Sequence, residues 1–425
     1  MMPVACAVGY GEWGRYNGDD ERKGRMMAVT MSVHDAIGEW EPELIATRRD
    51  FHMHPELGLE EFRTSGIVVE RLRLLGITEI ETGIAVTGVK AIIRGELPGK
   101  VLLLRGDMDA LPIEEENAVE YRSQTSGTMH ACGHDGHTAM LLATAHVLMS
   151  RRDEIVGTIV LCFQPAEEGR GGAKRMVAEG VLENPQVDAA MGLHLAQDAP
   201  LGTIIAYPGA GMAAADGFRV KVQGVGGHAA SPHRTVDAVL VAATIVTTLQ
   251  SLVSREVDPL LPAVVTTATL HAGGTASNII ADSATLSGSV RTFDLAVGDQ
   301  LAERVPALIQ GVAASMRATA EVEYYRGVPP TVNDSGMAAL VREVAAGIEG
   351  VTDATPGVQI MGSEDFSEFT QRVPSVFFHV GSADEESGKV WGHHHPRFDI
   401  DERALSIGVE VMIESALRWM RENAE

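Results

Sequence analysis

The chain has 425 residues, and 34 Lys and Arg side chains against 58 Asp and Glu side chains give a net charge of −24. Apolar residues make up 45% and charged residues 22%, which is typical of a folded globular protein and excludes a disordered chain. The acidic balance excludes non-specific binding to nucleic acid, because phosphate contacts need a basic face. No apolar run approaches the roughly 18 residues of a membrane span, so we expect no membrane partner either.

The cysteine content indicates a reducing compartment. Three cysteines cannot build a disulfide framework, so we expect a cytoplasmic location. Residues 1–31 lack the basic start and longer apolar region of a secretory signal, and periodic structure begins only after them. We interpret this segment as a flexible tail or a misannotated start, without a function.

Helix-like and strand-like segments alternate from residue 33 to residue 194. Apolar residues at helical spacing predict helices at Val33–Phe51, Thr64–Leu75, His137–Ser150 and Ala173–Glu179. Short aliphatic or β-branched runs predict strands at Val86–Ile93, Val101–Arg105, Gly157–Phe163 and Val187–His194. This alternation predicts an α/β fold with a mostly parallel sheet, in which ligands bind beyond the carboxyl ends of the strands.

The middle of the chain has a different pattern. From Phe218 to Tyr325 the segments follow the order β-α-β-β-α-β, which is the ferredoxin-like arrangement. We therefore predict an inserted α+β domain at 215–327, which would serve as a lid and for dimerisation. The catalytic domain would then be discontinuous, at 32–214 and 328–425.

Most of the 15 histidines fall in four short segments: Met129–His137, His194, His228–His233 and His393–His395. The first of these also holds Cys132, and borderline divalent metals accept sulfur, nitrogen and oxygen ligands together. A catalytic thiol at Cys132, with His130 or His134 as its base, is the alternative interpretation.

Two adjacent glutamates, Glu167 and Glu168, follow the predicted strand Gly157–Phe163. Consecutive side chains of an extended segment point in opposite directions, so one carboxylate could bind metal while the other handles protons. A divalent ion makes water nucleophilic near neutral pH, and a nearby glutamate can accept its proton. The alternative is an ordinary solvated loop.

Eight segments together resemble the M20 metallopeptidases, specifically their N-acyl-amino-acid amidohydrolases, which include aminoacylase-like enzymes, hippurate hydrolases and auxin-conjugate hydrolases. The resemblance covers about residue 33 to the C-terminus, and its segments follow in order: RRDFHMHPELGLEE (Arg48–Glu61), RGDMDALP (Arg105–Pro112), MHACGHDGH (Met129–His137), FQPAEEG (Phe163–Gly169), GLHL (Gly192–Leu195), GGHAASP (Gly226–Pro232), GSEDFS (Gly362–Ser367) and HHPRFD (His394–Asp399).

The resemblance implies two divalent metal ions per subunit, and Cys and His ligands accept manganese, zinc, cobalt or nickel. It implies metal ligands at Cys132, His134, Glu168, His194 and His394. Members of the wider family usually have His where this chain has Asp107, which leaves open which ligand bridges the metals.

The resemblance also assigns roles to residues that do not bind metal. It implies that Glu167 is the general base and acid and that Asp109 supports a ligand. His228 would extend across a dimer interface to polarise the substrate carbonyl, and Asn278 and Arg291 would grip the substrate. We therefore expect a homodimer or a higher homo-oligomer.

The expected activity is metal-dependent hydrolysis of an N-acyl amino acid to a carboxylate and a free amino acid. One alternative is a dipeptidase or exopeptidase on the same scaffold, with Glu364 or Asp365 binding a free α-amino group. Another is a non-catalytic metal- or carboxylate-binding homologue.

Overall fold

A computed structural model describes residues 31–274 and 276–424. Residues 1–30 of the predicted tail lie outside the described residues. The helices are α1 (Val33–Met53), α2 (Phe62–Leu74), α3 (His134–Ser150), α4 (Glu167–Arg170), α5 (Gly172–Ala178), α6 (Ala238–Ser251), α7 (Leu295–Ser315), α8 (Ser335–Ala345), α9 (Ser367–Thr370) and α10 (Arg403–Glu422).

The strands fall into two larger and two small sheets. In chain order they are β1 (Ile80–Ile84), β2 (Gly88–Arg94), β3 (Leu97–Asp107), β4 (Val156–Gln164), β5 (Ala189–Pro200), β6 (Thr203–Ile205), β7 (Gly209–Met212), β8 (Ala214–Gln223), β9 (Gly227–His228), β10 (Ala263–Ala272), β11 (Ile279–Ile280), β12 (Ser283–Thr292), β13 (Thr319–Val328), β14 (Thr331–Asn333), β15 (Asp353–Thr355) and β16 (Ser375–Ala383).

The largest sheet has the strand order β1-β2-β4-β3-β5-β16-β6-β15. Its central strands β4, β3, β5 and β16 are parallel to their neighbours in that series, whereas β1, β2 and β6 introduce antiparallel pairs. The predicted α/β fold is confirmed. The hairpin of β1 and β2 was missed, because β1 is too short and too exposed for a clear apolar pattern.

Both faces of the central strands are buried, which explains their continuous apolar sequences. In β3, Leu102 and Leu104 belong to one hydrophobic cluster and Leu103 belongs to another on the opposite face. The larger cluster holds side chains from α1, α2, α3, α8 and α10, and the smaller one holds side chains from α5 and α9. The parallel strands are therefore fixed between two helical layers, with their carboxyl ends free to carry a site.

The second sheet has the strand order β10-β12-β8-β13, and all its pairs are antiparallel. Along β8, Phe218, Val220 and Val222 are buried while the residues between them are exposed, as expected for a sheet covered on one face. Helices α6 and α7 contribute to the same hydrophobic cluster. The order β-α-β-β-α-β is the predicted ferredoxin-like arrangement, whereas the exact domain boundaries stay a prediction.

Helix α6 corrects one expectation from the sequence. Together with the following turn, Ala238–Glu256 is long and apolar enough to cross a membrane by length and composition, with a mean hydropathy of 1.5. The threonines within this stretch are accommodated by the helix, since Thr244 and Thr248 donate hydrogen bonds to carbonyls four residues earlier. Val241, Ile245 and Leu249 pack into the core beneath the second sheet, and a core helix passes the same test of composition.

Helix α1 is attached to the rest of the fold by a buried charge. The Arg48 side chain is fully buried, and its Nε lies 2.8 Å from Asp135 while an Nη lies 3.2 Å from Asp399. Asp135 is in the first turn of α3 and also contacts His52 at 2.7 Å. Because a buried charge is tolerated only when paired, Arg48 fixes the position of this turn.

We predict that Arg48→Met destabilises the fold far more than Arg49→Met. Removing Arg48 breaks its buried pair with Asp135, which costs about 3–5 kcal/mol, while Asp399 keeps Lys389 as a partner. The neighbouring Arg49 pairs with Glu402 from a side chain that is 41% exposed, and such a pair contributes less than about 1 kcal/mol. Urea unfolding of both variants measures the difference, and equal losses would contradict the role given to Arg48.

Candidate metal centre

The side chains singled out in the sequence gather at the carboxyl edge of the large sheet. Asp107 is the last residue of β3, and Asp109 follows it. Glu167 and Glu168 come shortly after β4, and His194 lies in β5. In these parallel pairs Asp107 lies opposite Gln164 and Arg105 lies opposite Gly192, so the side chains meet at one edge. Strand β5 continues to Pro200, past its predicted end at His194.

Cys132 and His134 lie at the start of α3. The helix begins at His134, three residues earlier than predicted, because Gly133 adopts a left-handed conformation (φ 88°) that turns the chain into the helix. His134 and His137 are therefore both in the first helical turn. Cys132 precedes the turn, is 9% exposed, and burial raises the pKa of its thiol. A nearby cation is what would favour the thiolate.

Backbone carbonyls set the orientation of two imidazoles. His134 Nδ1 lies 2.9 Å from the Asp109 carbonyl oxygen, and His194 Nδ1 lies 2.7 Å from the Leu195 carbonyl oxygen. In the neutral ring each Nδ1 donates to its carbonyl, so each Nε2 then carries a lone pair. His134 Nε2 is buried without a hydrogen-bond partner, and His194 Nε2 lies 3.5 Å from Cys132 Sγ. This is the arrangement of metal-binding histidines, in which the second nitrogen donates to an outer partner.

The two glutamates lie on a turn rather than on an extended segment, which corrects the argument made from the sequence. The chain leaves β4 through Ala166 in a left-handed conformation (φ 58°), and Glu168 and Gly169 are non-helical within α4. Asp109 stabilises this turn by accepting the N–H groups of Glu167 (2.9 Å) and Glu168 (3.0 Å). Both carboxylates consequently reach His134, with ligand atoms within 4.8 Å of one another.

His394 completes the cluster from the far end of the chain. Its Nε2 lies 3.1 Å from Glu168 Oε1, and its backbone N–H donates to the Ala131 carbonyl. The backbone of His394 is left-handed (φ 64°), a conformation that costs energy in a non-glycine residue and is concentrated at functional sites. Cys132, Glu168 and His394 form one group of candidate ligands, and Cys132, His134 and His194 form a second.

A third group, Asp107, His134 and His137, has a different character. His137 Nδ1 lies 2.6 Å from Asp107 Oδ1, and its Nε2 accepts the Leu195 N–H at 2.9 Å. Both nitrogens of His137 are therefore occupied, so it has no lone pair for a metal. Asp107, at the position where the wider family has His, instead orients His137.

Arg105 is a buried centre of charge that the sequence analysis did not identify. Its guanidinium contacts Asp107 (2.6 Å), Glu364 (2.8 Å), Asp365 (3.1 Å) and Gln164 (2.9 Å). Burial alone would raise the pKa of Asp107, but the charge of Arg105 and two histidines holds that pKa well below its usual value. An Arg two residues before Asp107 on a buried strand was the available signal.

Glu167 occupies an environment that favours its protonated form. Burial and the neighbouring carboxylates Glu364, Asp365 and Glu168 raise its pKa well above the usual value. Its Oε1 lies 3.4 Å from the Asp365 N–H. A carboxyl group with a raised pKa is a stronger proton acceptor, which suits a residue that takes up a proton and returns it.

The cluster opens into a cleft of about 830 Å³, which is lined by Cys132, Glu167, Glu168, His194 and His394. Arg291 also lines the cleft and donates to the Ser363 hydroxyl at 2.8 Å. His228 and Asn278 are exposed and do not line it. Within this chain the structure therefore brings together the predicted ligands, Glu167, Asp109 and Arg291, but neither His228 nor Asn278.

The side chains present fit divalent metal ions. The buried Nε2 of His134 has no hydrogen-bond partner, and candidate ligand atoms of Cys132, His194 and Glu168 lie within 4.8 Å of the ligand atom of His134. One thiol, three imidazoles and a carboxylate match the ligand preferences of borderline divalent metals. Which of the metals named above is bound is not decided by this donor set.

We predict that Cys132→Ala lowers the metal content of the purified protein, whereas Cys162→Ala leaves it unchanged. Both cysteines are buried and free, but Cys162 lies in β4 against Met176. Elemental analysis after gel filtration of metal-reconstituted protein makes the comparison. Equal metal content in the two variants would exclude Cys132 as a ligand.

Comparisons with known proteins agree with this chemistry. Residues 103–418 match the model of peptidase family M20/M25/M40. The chain is 39% identical over 386 residues to N-acetyl-L-cysteine deacetylase of Bacillus subtilis, covering 91% of this chain and 90% of that protein. It is 38% identical over 386 residues to thermostable carboxypeptidase 2 of Saccharolobus solfataricus, covering 90% and 96%.

A solved structure gives the same assignment. The Bacillus subtilis YxeP protein, described as a dinuclear metal binding peptidase of the M20 family, has a TM-score of 0.78 and 34% identity to this chain. The match covers 90% of this chain and 99% of that one. The fold, the donor cluster and these similarities lead to one conclusion: the chain belongs to peptidase family M20/M25/M40.

Proposed function

We propose that the protein is a metal-dependent amidohydrolase that cleaves N-acyl amino acids to a carboxylate and a free amino acid. The observation that carries this proposal is the cluster of Cys132, His134, Glu168, His194 and His394 beside the carboxylate of Glu167, at the bottom of an open cleft. Membership of a family of amide-cleaving metalloenzymes and the similarity to a deacetylase support it.

The five candidate ligands would hold two divalent ions, which supply Lewis-acid activation of water and of the amide carbonyl. Glu167 would accept the proton of the attacking water and return it to the leaving amine nitrogen. Asp109 positions Glu167 and Glu168 through their backbone N–H groups. The non-catalytic alternative finds no support, because every ligand position implied by the resemblance is filled.

Arg291 is suited to bind the free carboxylate of the amino acid. Its partner is the neutral Ser363 hydroxyl, so its charge is not cancelled by that contact. Ser363 is adjacent to Glu364 and Asp365, and the Asp365 N–H lies next to Glu167. Arg291 is therefore on the Glu167 side of the cleft, where the leaving amine has to receive its proton.

We predict that Glu167→Gln keeps its metal but lowers kcat by roughly 10²–10⁴, whereas Glu168→Gln loses metal. The amide of Gln cannot accept the proton of water, while at Glu168 the lost carboxylate is a ligand. Turnover of N-acetyl and N-benzoyl amino acids and metal content are measured for both variants. Near-normal turnover of Glu167→Gln would remove it from the role of general base.

A peptidase on the same scaffold is the second candidate, and the carboxypeptidase relative favours it. If this peptidase were a dipeptidase, Glu364 or Asp365 would have to bind the free α-amino group of the substrate. Both carboxylates are buried and form ion pairs with Arg105. Both oxygens of Asp365 also accept hydrogen bonds, one from the Gln164 side chain and one from the Ala173 N–H. A panel of N-acyl amino acids and free-amine dipeptides separates the two candidates, and preference for the dipeptides would favour the peptidase.

We propose that the enzyme is a homodimer in which His228 of each copy completes the cleft of the other. His228 is exposed in β9, paired with β11 next to Asn278. Its Nδ1 accepts the Ala230 N–H at 3.0 Å, so the neutral ring carries its proton on Nε2. That proton could be donated to the substrate carbonyl oxygen, where charge develops. Asn278 would reach the substrate from the same surface.

We predict complementation between two inactive variants, Glu167→Gln and His228→Ala. In a mixed dimer one site has both Glu167 and an intact His228 from the other copy. Random mixing of subunits should therefore restore about one quarter of wild-type activity. Unfolding and refolding the two variants together, with each alone as a control, provides the test. No gain on mixing would place His228 in the site of its own chain, and an active His228→Ala variant would place it outside the reaction.

We also propose a cytoplasmic location, which the free and buried state of Cys132 and Cys162 supports. Disulfides are rare in that compartment.

A further inference from the structure

The wall of the cleft that follows Glu168 carries positive charge. Arg170 and Lys174 line the cleft and are exposed; we call these two residues the cationic wall. Arg170 donates to the neutral carbonyl of Gly58 at 3.1 Å, and neither cation has a carboxylate partner in the described part of the chain. In a protein with a net charge of −24, two uncompensated cations that face a cleft favour an anionic group there.

Other charged side chains of the cleft are already compensated or assigned. Arg326 and Glu368 also line the cleft. Each of them forms an ion pair, Arg326 with Asp216 at 3.1 Å and Glu368 with Arg372 at 2.9 Å. Arg291 is suited to the α-carboxylate of the amino acid, as described above. The cationic wall is thus additional to the positive charge that a substrate with a single carboxylate uses.

Hydrogen bonds place Lys174 on the Glu167 side of the cleft. The residue before Lys174 donates its backbone N–H to Asp365 Oδ2 at 3.0 Å. The backbone N–H of Asp365 lies 3.4 Å from Glu167 Oε1, and two residues earlier Ser363 accepts a hydrogen bond from Arg291. The start of α5 is therefore attached to the segment that contacts both the proposed base and Arg291. The amino acid part of the substrate belongs on this side.

We propose that Lys174, together with Arg170, binds a second carboxylate of the substrate, so that the enzyme prefers N-acyl derivatives of glutamate and aspartate. This inference rests on the proposed amidohydrolase function and names its substrate class. Arg291 binds the α-carboxylate, and the cationic wall binds the carboxylate of the amino acid side chain. Hydrogen bonds between ionised partners are stronger than neutral ones, so the charge of the side chain decides the preference.

The test compares substrates that differ in the charge of one group. N-acetylglutamate and N-acetylglutamine have side chains of equal length, and N-acetylaspartate and N-acetylasparagine form a shorter pair. The measured quantity is the ratio of kcat/KM for the acid to kcat/KM for the amide, on metal-loaded enzyme at low ionic strength. We expect the wild type to favour the acid by roughly fivefold or more in at least one pair. A smaller ratio in both pairs overturns the inference.

Three variants test the residues of the wall, with one matched control. Lys174→Gln and Arg170→Gln each remove one charge, whereas Lys174→Arg keeps it. Arg175→Gln is the control, because Arg175 is the next residue of α5, is exposed and does not line the cleft. Successive residues of a helix point about 100° apart, so the two neighbours face different surroundings.

We expect Lys174→Gln, Arg170→Gln or both to lower the acid-to-amide ratio by roughly fivefold or more. Lys174→Arg and Arg175→Gln should keep the ratio of the wild type. A smaller change in both charge-removing variants contradicts the inference, as does an equal fall in Arg175→Gln.

The same variants show which part of the substrate carries the second carboxylate. N-succinylglycine has a carboxylate on its acyl group, and N-butanoylglycine has an uncharged acyl group of equal length. If Lys174→Gln changes the discrimination between these two but not between the glutamate and glutamine derivatives, the wall binds an anionic acyl group and the inference is overturned.

Failure of the inference and failure of the proposed function are distinguishable. If the wild type hydrolyses N-acetylmethionine but does not prefer the acidic substrates, the proposed function stands and the inference falls. If the metal-loaded wild type hydrolyses no N-acyl amino acid, the proposed function falls and the inference falls with it.

Ionic strength provides an independent readout. The screening length falls from about 30 Å at 0.01 M salt to about 10 Å at 0.1 M, which weakens the attraction between exposed charges. We expect the acid-to-amide ratio of the wild type to fall over this range, and that of Lys174→Gln to fall less. A wild-type ratio that does not change with salt contradicts recognition by the cationic wall.

Discussion

Side-chain atoms that are able to bind a metal ion converge at the carboxyl edge of the large sheet. The Nδ1 atoms of His134 and His194 each lie at hydrogen-bonding distance from a backbone carbonyl. The Nε2 of His394 lies 3.1 Å from Oε1 of Glu168. A divalent cation among these side chains would be held by all of them at once, and its binding would stabilise the folded chain. The surrounding structure maintains this convergence: Arg48 fixes the first turn of α3, Asp109 fixes the two glutamates, and His394 is kept in a left-handed backbone conformation.

The same geometry gives the two glutamates different tasks. Glu168 lies close to the candidate ligands Cys132 and His394. Glu167 instead lies close to Glu364 and Asp365, which form ion pairs with Arg105. The positive charge of Arg105 allows several carboxylates to remain buried near the site. A base with a raised pKa beside metal ligands is the combination that amide hydrolysis requires.

Much of the fold could be predicted from the sequence, because the central strands are buried on both faces and the second sheet on one. Leu102–Leu104 is a continuous apolar run, and Phe218–Gln223 alternates. The hairpin strand Ile80–Ile84 gave no such pattern. The start of α3 was predicted too late, since Gly133 turns the chain and places two polar histidines in the first turn.

The candidate site was predicted mainly through the resemblance, and its internal geometry was not. The sequence could not show that Ala166 leaves the strand in a left-handed conformation. The prediction that the two glutamates point in opposite directions from an extended segment was therefore wrong. The sequence also could not show that both ring nitrogens of His137 form hydrogen bonds, one with Asp107 and one with the backbone N–H of Leu195. Arg105 was missed because its partners Glu364 and Asp365 come from more than 250 residues away. Contacts between distant segments leave no local pattern.

The most direct test of the account is anomalous diffraction from crystals of the metal-reconstituted enzyme. The account predicts two anomalous peaks inside the cleft, within bonding distance of Cys132 Sγ, of the Nε2 atoms of His134 and His194, and of Glu168 and His394, with Glu167 left uncoordinated. For zinc the distance to sulfur would be about 2.3 Å. Peaks bound to other side chains, or a cleft without a peak at full metal loading, would contradict it.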